Sequence, residues 1–155
     1  MIDNKQKYYN YKEQMGRLSK ALNACFYIEA IAIEYAIIED RIESVLRHSG
    51  RFNKEKHTNM VKKLKVVSTI QSEKVGGKGK VLLRKYLSDE LIESIYLWKD
   101  ERNKIIHALL NQNLETESLS ELAQQGRDIV KALNSKVSSY NRALEKLNIK
   151  ENNNE

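Results

Sequence analysis

The chain of 155 residues contains no proline and only six glycines. Proline removes a backbone donor and clashes with the preceding turn, so it is the residue that most reliably interrupts a helix. A chain without it has no forced breaks and reads either as helical or as disordered. Disorder is excluded for most of the length, because 41% of the residues are hydrophobic, enough to close a core at this size. The apolar side chains recur at spacings of three and four, which is the helical period, and no segment alternates as a strand would. The expectation is an all-α fold, an antiparallel helical bundle of four to six helices. It forms a single domain over residues 1–149, with a disordered tail at 150–155.

Residues 4–48 read as helix with a break near Asn23. Tyr8, Tyr11, Met15, Leu18 and Leu22 stripe its first part. The second part, NACFYIEAIAIEYAIIEDRIESVLRH, is apolar on most faces and reads as the central helix. Ser49-Gly50 stops it, with Arg47 and His48 in the last turn, where cations suit the helix dipole. A third helix covers about 55–74, striped by Met60, Leu64, Val67 and Ile70. The glycine-rich GGKGK at 76–80 is a break, followed by a short helix, VLLRKYL. Ser88 then caps a helix that runs to about 110, with Asp89 and Glu90 in its first turn. Ser118 and Glu121 form a capping box for a final helix that ends near 148.

Charge is unevenly distributed. Residues 51–85 hold eleven Lys or Arg and two acids, a local charge of +9, whereas the other 120 residues sum to −3. A positive region of this kind attracts polyanions, chiefly nucleic acid. Lys62, Lys63 and Lys65 fall largely outside the apolar stripe of the third helix. With Lys78 and Lys80 of the glycine-rich segment, they are the expected contacts to an RNA backbone.

Several chemistries find no support. GGKGK lacks the preceding strand and the Lys-Ser/Thr ending of a phosphate loop. His48, His57, His107 and the single Cys25 fall at no metal-ligand spacing, so no metal or other cofactor is expected. One cysteine cannot form an internal disulfide and fits a reducing, cytoplasmic setting. The most apolar run, ACFYIEAIAIEYAII, is interrupted by Glu29 and Glu34 and is too short and too charged to span a bilayer, so no membrane is expected as a partner.

What remains is RNKIIH at 102–107. The apolar stripe of its helix runs Leu91, Ile95, Trp98, Arg102, Ile105, Leu109, so an arginine occupies a slot that the pattern reserves for an apolar side chain. Asn103 and His107 are i,i+4 neighbours on a second stripe. Arg102 lies about 140° around the axis from His107 and about 7.5 Å along it. One helix does not aim both at one small group, whereas two such helices across a symmetry axis would bring the arginine of one to the histidine of the other.

An all-helical chain with Arg102, the polar Asn103 and His107 on its penultimate long helix resembles the HEPN superfamily. Two other arginine–histidine pairs, Arg41–His48 and Arg51–His57, also have permitted spacings. Only Arg102 is followed by a polar residue and breaks an apolar stripe inside a helix. The resemblance implies a metal-independent endoribonuclease with Arg102, Asn103 and His107 as catalytic residues, built across a homodimer. It also implies a setting in toxin–antitoxin, abortive-infection or other prokaryotic defence systems, with an antitoxin or defence-complex partner. Some members carry a tyrosine two residues after the histidine, where this chain has Leu109. The rival expectation is a non-catalytic helical module, dimeric, that binds nucleic acid or protein.

Overall fold

The computed structural model describes residues 3–75 and 81–152. Five α-helices are present among them: α1 (Asn4–Asn23), α2 (Tyr27–His48), α3 (Met60–Ile70), α4 (Asp89–Ala108) and α5 (Thr116–Asn152). The all-α fold expected from the periodicity is the fold observed. None of the described helices is long and apolar enough to cross a membrane. The chain divides into two compact units. The first comprises Met1–Ile37 with Tyr96–Val130, and the second comprises Ile38–Ile95 with Lys131–Glu155. Three helices, α2, α4 and α5, each contribute residues to both units.

The first unit closes on Leu18 of α1, Ala30, Ile31 and Ile37 of α2, Trp98 of α4, and Leu122, Ala123 and Val130 of α5, all buried. The Trp98 indole N–H donates to the Leu122 carbonyl at 2.9 Å. In the second unit Ile38, Ile42, Val45 and Leu46 of α2 are buried, as are Met60, Leu64 and Val67 of α3 and Leu133, Val137 and Tyr140 of α5. Two of the buried polar contacts there join distant parts of the chain. The Tyr140 and Ser49 hydroxyls lie 2.6 Å apart, and Gln71 Nε2 donates to the Leu87 carbonyl at 2.8 Å.

The boundaries differ from the expected ones where local chemistry outweighs the apolar period. α3 begins at Met60, because the Asn59 side chain accepts from the Lys62 backbone N–H and caps the helix there. Lys74–Val75 pairs with Val81–Leu82 as a short antiparallel ribbon, where no strand was expected. Val75 and Val81 are paired in register there, and β-branched residues suit extended backbone. The expected VLLRKYL helix is reduced to one 3₁₀ turn at Leu83–Lys85. Ser118 does not start α5, which begins two residues earlier at Thr116 and carries the Ser118–Glu121 pair inside it. α5 also continues to Asn152. The first three residues of the expected tail are therefore helical, and 153–155 lie outside the described residues.

The ends of α1 and α2 are built alike. After α1, the Phe26 N–H bonds the Ala21 carbonyl and the Cys25 N–H bonds that of Leu22; after α2, Arg51 bonds Leu46 and Gly50 bonds Arg47. This double closure needs one residue in the left-handed region. Gly50 supplies it at φ +67°, and Cys25 adopts φ +59°. Glycine enters that region without cost, whereas a side chain there costs about 1 kcal/mol. Cys25→Gly is therefore expected to stabilise the fold by about 0.5–1 kcal/mol, and Gly50→Ala to destabilise it by about 1 kcal/mol. A Cβ at Gly50 meets nothing within 4 Å, so backbone strain alone sets the sign. Urea unfolding of the two variants checks this, and shifts of equal sign would contradict it.

Candidate active site

The helix that carries the motif starts where the sequence placed it. The Leu91 N–H donates to the Ser88 hydroxyl at 3.2 Å, and Asp89 and Glu90 occupy the first turn. α4 ends at Ala108, so His107 stands in its last turn and Leu109 and Leu110 lie beyond it. Ile95 and Trp98 are buried, and Arg102 follows as the next residue of that stripe, half-buried.

Arg102 is held entirely by neutral groups. Its guanidinium carbon lies 4.3 Å from the centroid of the Tyr35 ring, within the range of a cation–π contact. One terminal nitrogen, Nη1, donates to Asn103 Oδ1 at 3.1 Å. Nε is buried and has no hydrogen-bond partner among the described residues. No carboxylate of the described residues forms an ion pair with it. The ordinary reason for a buried arginine, a core ion pair, is therefore missing in this unit. The Tyr35 ring in turn stacks on Trp98, with centroids 6.4 Å apart and planes 29° apart.

The three histidines are not equivalent. His48 uses Nδ1 on the Ser44 carbonyl at 2.9 Å, and His57 uses Nδ1 to accept from the Asn53 N–H at 3.0 Å. Both rings complete local structure at helix ends or turns. His107 is exposed and makes no hydrogen bond or ion pair among the described residues. The Asn103 carbonyl oxygen accepts from Arg102 Nη1, which ties the orientation of the guanidinium to its own helix.

Of the expected phosphate contacts, Lys62, Lys63 and Lys65 belong to the second compact unit and differ among themselves. Lys62 and Lys65 are exposed, and the Lys62 ammonium donates to Thr58 Oγ1 at 3.1 Å. Lys63 is a correction. Its side chain is only 8% exposed and its ammonium lies 2.9 Å from both Glu39 and Glu43. Position 63 sits three residues after Met60 and four before Val67, so it faces inward with them. Its charge is neutralised by two carboxylates and is not offered to a phosphate. Lys78 and Lys80 lie outside the described residues.

Two further residues of this unit were missed in the sequence, Tyr35 against Arg102 and Glu34 against Gly126. Tyr35 reads as one more aromatic in an apolar run. Glu34 reads as one of three acids spaced by five around α2, yet it is fully buried (0% exposed) and neither of its oxygens has a hydrogen-bond partner among the described residues. The signal was present, because Glu34 falls between Ile31 and Ile38 at helical spacing and breaks α2's stripe as Arg102 breaks that of α4. Its carboxylate packs against Gly126 of α5. A Cβ built on that glycine would stand 2.0 Å from Glu34 Oε2 and 2.9 Å from the Trp98 ring, so only glycine fits there.

Burial pushes the Glu34 carboxyl up to about 9; Arg127 opposes the shift and Asp128 adds to it. The group is neutral in the fold at neutral pH, whereas in the unfolded chain it ionises near its ordinary 4.5. A folded value raised above the unfolded one leaves full stability below the lower value. That stability is then lost as pH rises between the two, at about 1.4 kcal/mol per pH unit. Glu34→Gln removes the titration. Urea unfolding at pH 5 and pH 8 is expected to show a shallower decline for the variant, which at pH 8 exceeds the wild type by about 2 kcal/mol or more. Identical slopes for the two proteins would contradict a neutral buried Glu34.

No family model matches the chain, no curated protein matches its sequence and no solved structure matches its fold. The functional reading therefore stands on the residues and geometry above.

Proposed function

We propose that the protein is a metal-independent endoribonuclease of the HEPN type, with Arg102, Asn103 and His107 as its catalytic residues. The observation that carries this reading is the state of Arg102, a half-buried cation fixed by a ring and an amide with no acid to neutralise it. A charge kept in that state suits a ligand that brings its own negative charge.

The reaction is attack of an RNA 2′-oxygen on the adjacent phosphorus. The new 2′-O–P bond forms as the P–O5′ bond breaks, leaving a 2′,3′-cyclic phosphate and a free 5′-hydroxyl. A proton leaves the attacking hydroxyl and another reaches the departing oxygen. Histidine is the side chain best suited to both transfers near neutral pH, and His107 is exposed and unengaged. Arg102 presents planar N–H donors to the charge that develops on the phosphate oxygens. Asn103 fixes the orientation of that donor plane. Lys62 and Lys65, with Lys78 and Lys80, hold the RNA backbone through a salt-dependent contribution. Single-stranded RNA is the substrate, because in-line attack needs a flexible backbone.

Within one helix Arg102 and His107 diverge by about 140°, so the reading includes a homodimer in which each arginine meets the partner's histidine. Exposed apolar side chains in the same unit (Phe26, Leu97 and Leu110, the last 97% exposed) are consistent with a covered face. They equally favour the second reading, a non-catalytic interaction module. The proposed setting is a prokaryotic defence or toxin–antitoxin system, with an antitoxin or complex partner restraining the nuclease.

Labelled single-stranded RNA incubated with the protein in EDTA separates the two readings. Cleavage that survives the chelator, leaves cyclic-phosphate ends and falls at least a hundredfold in both Arg102→Ala and His107→Ala is expected, since general acid–base groups contribute about that much or more. Equal cleavage by wild type and both variants, or none by any, would contradict the proposal.

A further inference from the structure

We infer that Tyr35 is the positioning residue for Arg102, holding the guanidinium in place without neutralising it; this rests on the ribonuclease reading above. Arg102 and Trp98 are i,i+4 neighbours on α4 and so share one face of the helix. Tyr35 of α2 lies against both, with its ring 4.3 Å from the Arg102 guanidinium carbon and 6.4 Å between centroids from Trp98. The far side of this assembly is fixed in turn. The Trp98 N–H is bound to the Leu122 carbonyl, and the Trp98 ring packs close to Gly126, against which Glu34 is pressed. The ring beneath Arg102 is thus anchored on α4 and, through Trp98, on α5.

An arginine side chain is long and loses much rotamer freedom when it is held in one place. A cation that stabilises a transition state must be in place before charge develops, because reorganisation during the reaction raises the barrier. A carboxylate would hold the guanidinium more firmly, but it would occupy the fork and cancel the charge. An aromatic face attracts the cation through its quadrupole and leaves Nη2, which neither Asn103 nor burial takes up among the described residues, free to donate in the guanidinium plane. Tyr35 touches neither the phosphate nor a reacting atom in this role; it acts through Arg102.

The test is a substitution series at position 35, read by RNA cleavage alongside Arg102→Ala and by thermal unfolding. Tyr35→Phe and Tyr35→Trp keep an aromatic face and are expected to hold kcat within about threefold of wild type. Tyr35→Leu is expected to lower kcat at least tenfold with KM within twofold, because the substrate still binds but meets a misplaced cation. Phenylalanines of increasing fluorine content at this position keep the shape of the ring while withdrawing its negative face, so they remain informative if the leucine variant folds poorly. Their log kcat is expected to fall stepwise at constant melting temperature. A flat series, with Arg102→Ala inactive, overturns the positioning role alone. Full activity in Arg102→Ala overturns the ribonuclease reading and the positioning role with it.

Discussion

The contacts of Trp98 organise the first compact unit. Its indole N–H is satisfied by a carbonyl of α5, one face of its ring stacks with Tyr35 of α2, and its edge approaches Gly126. A buried indole needs a partner for its N–H, and here that partner is the backbone carbonyl of Leu122, which fixes α4 against α5. Once Trp98 is fixed, the next inward position on α4 four residues later is fixed as well, and that position is Arg102. The arginine is therefore presented on a rigid helix over a rigid ring, the arrangement a preorganised charge requires.

Glu34 and Arg102 make the unit unusual in the same way. Both occupy apolar slots of their helices, and neither Glu34's oxygens nor Arg102 Nε has a hydrogen-bond partner among the described residues. They resolve the conflict differently. Glu34 gives up its charge, because a carboxyl titrates within reach of neutral pH once it is desolvated. Arginine cannot do so, so Arg102 keeps its charge, leaves part of its side chain exposed and leans on the quadrupole of Tyr35. Charge also separates between the compact units. Counting Lys and Arg against Asp and Glu, the first unit holds 9 against 10, a net −1, and the second 18 against 11, a net +7. The proposed chemistry and the proposed backbone contacts thus belong to different units.

The fold class was legible because helical period and the lack of proline act over the whole length. The cap at Ser88 and the stop at Gly50 were legible because each depends on a side chain or a glycine acting within four residues. The break near Asn23 falls where α1 ends, but its means was not legible, since Cys25 performs there the left-handed turn that glycine performs after α2. The Ser118–Glu121 pair had the right spacing for a cap, but α5 starts ahead of it. The ribbon of Lys74–Val75 with Val81–Leu82 was hidden because two-residue strands carry no period. In the candidate site, the break at Arg102 was visible as a pattern fault. What surrounds it was not, because Tyr35, Trp98 and Gly126 come together from distant parts of the chain. Lys63 was misread for the opposite reason: its local position on α3 already pointed inward, beside Met60 and Val67.

The unneutralised charge of Arg102 is what the proposed chemistry depends on. The direct measurement is the Arg102 Nε–H resonance during titration with a short single-stranded RNA whose 2′-oxygens are methylated, so that it binds without being cleaved. The account predicts a saturable shift of that resonance that follows the same binding curve as the affinity and is lost when Arg102 is replaced by alanine. RNA binding that leaves the Arg102 resonance unmoved, with only the lysines of the second unit responding, would contradict it.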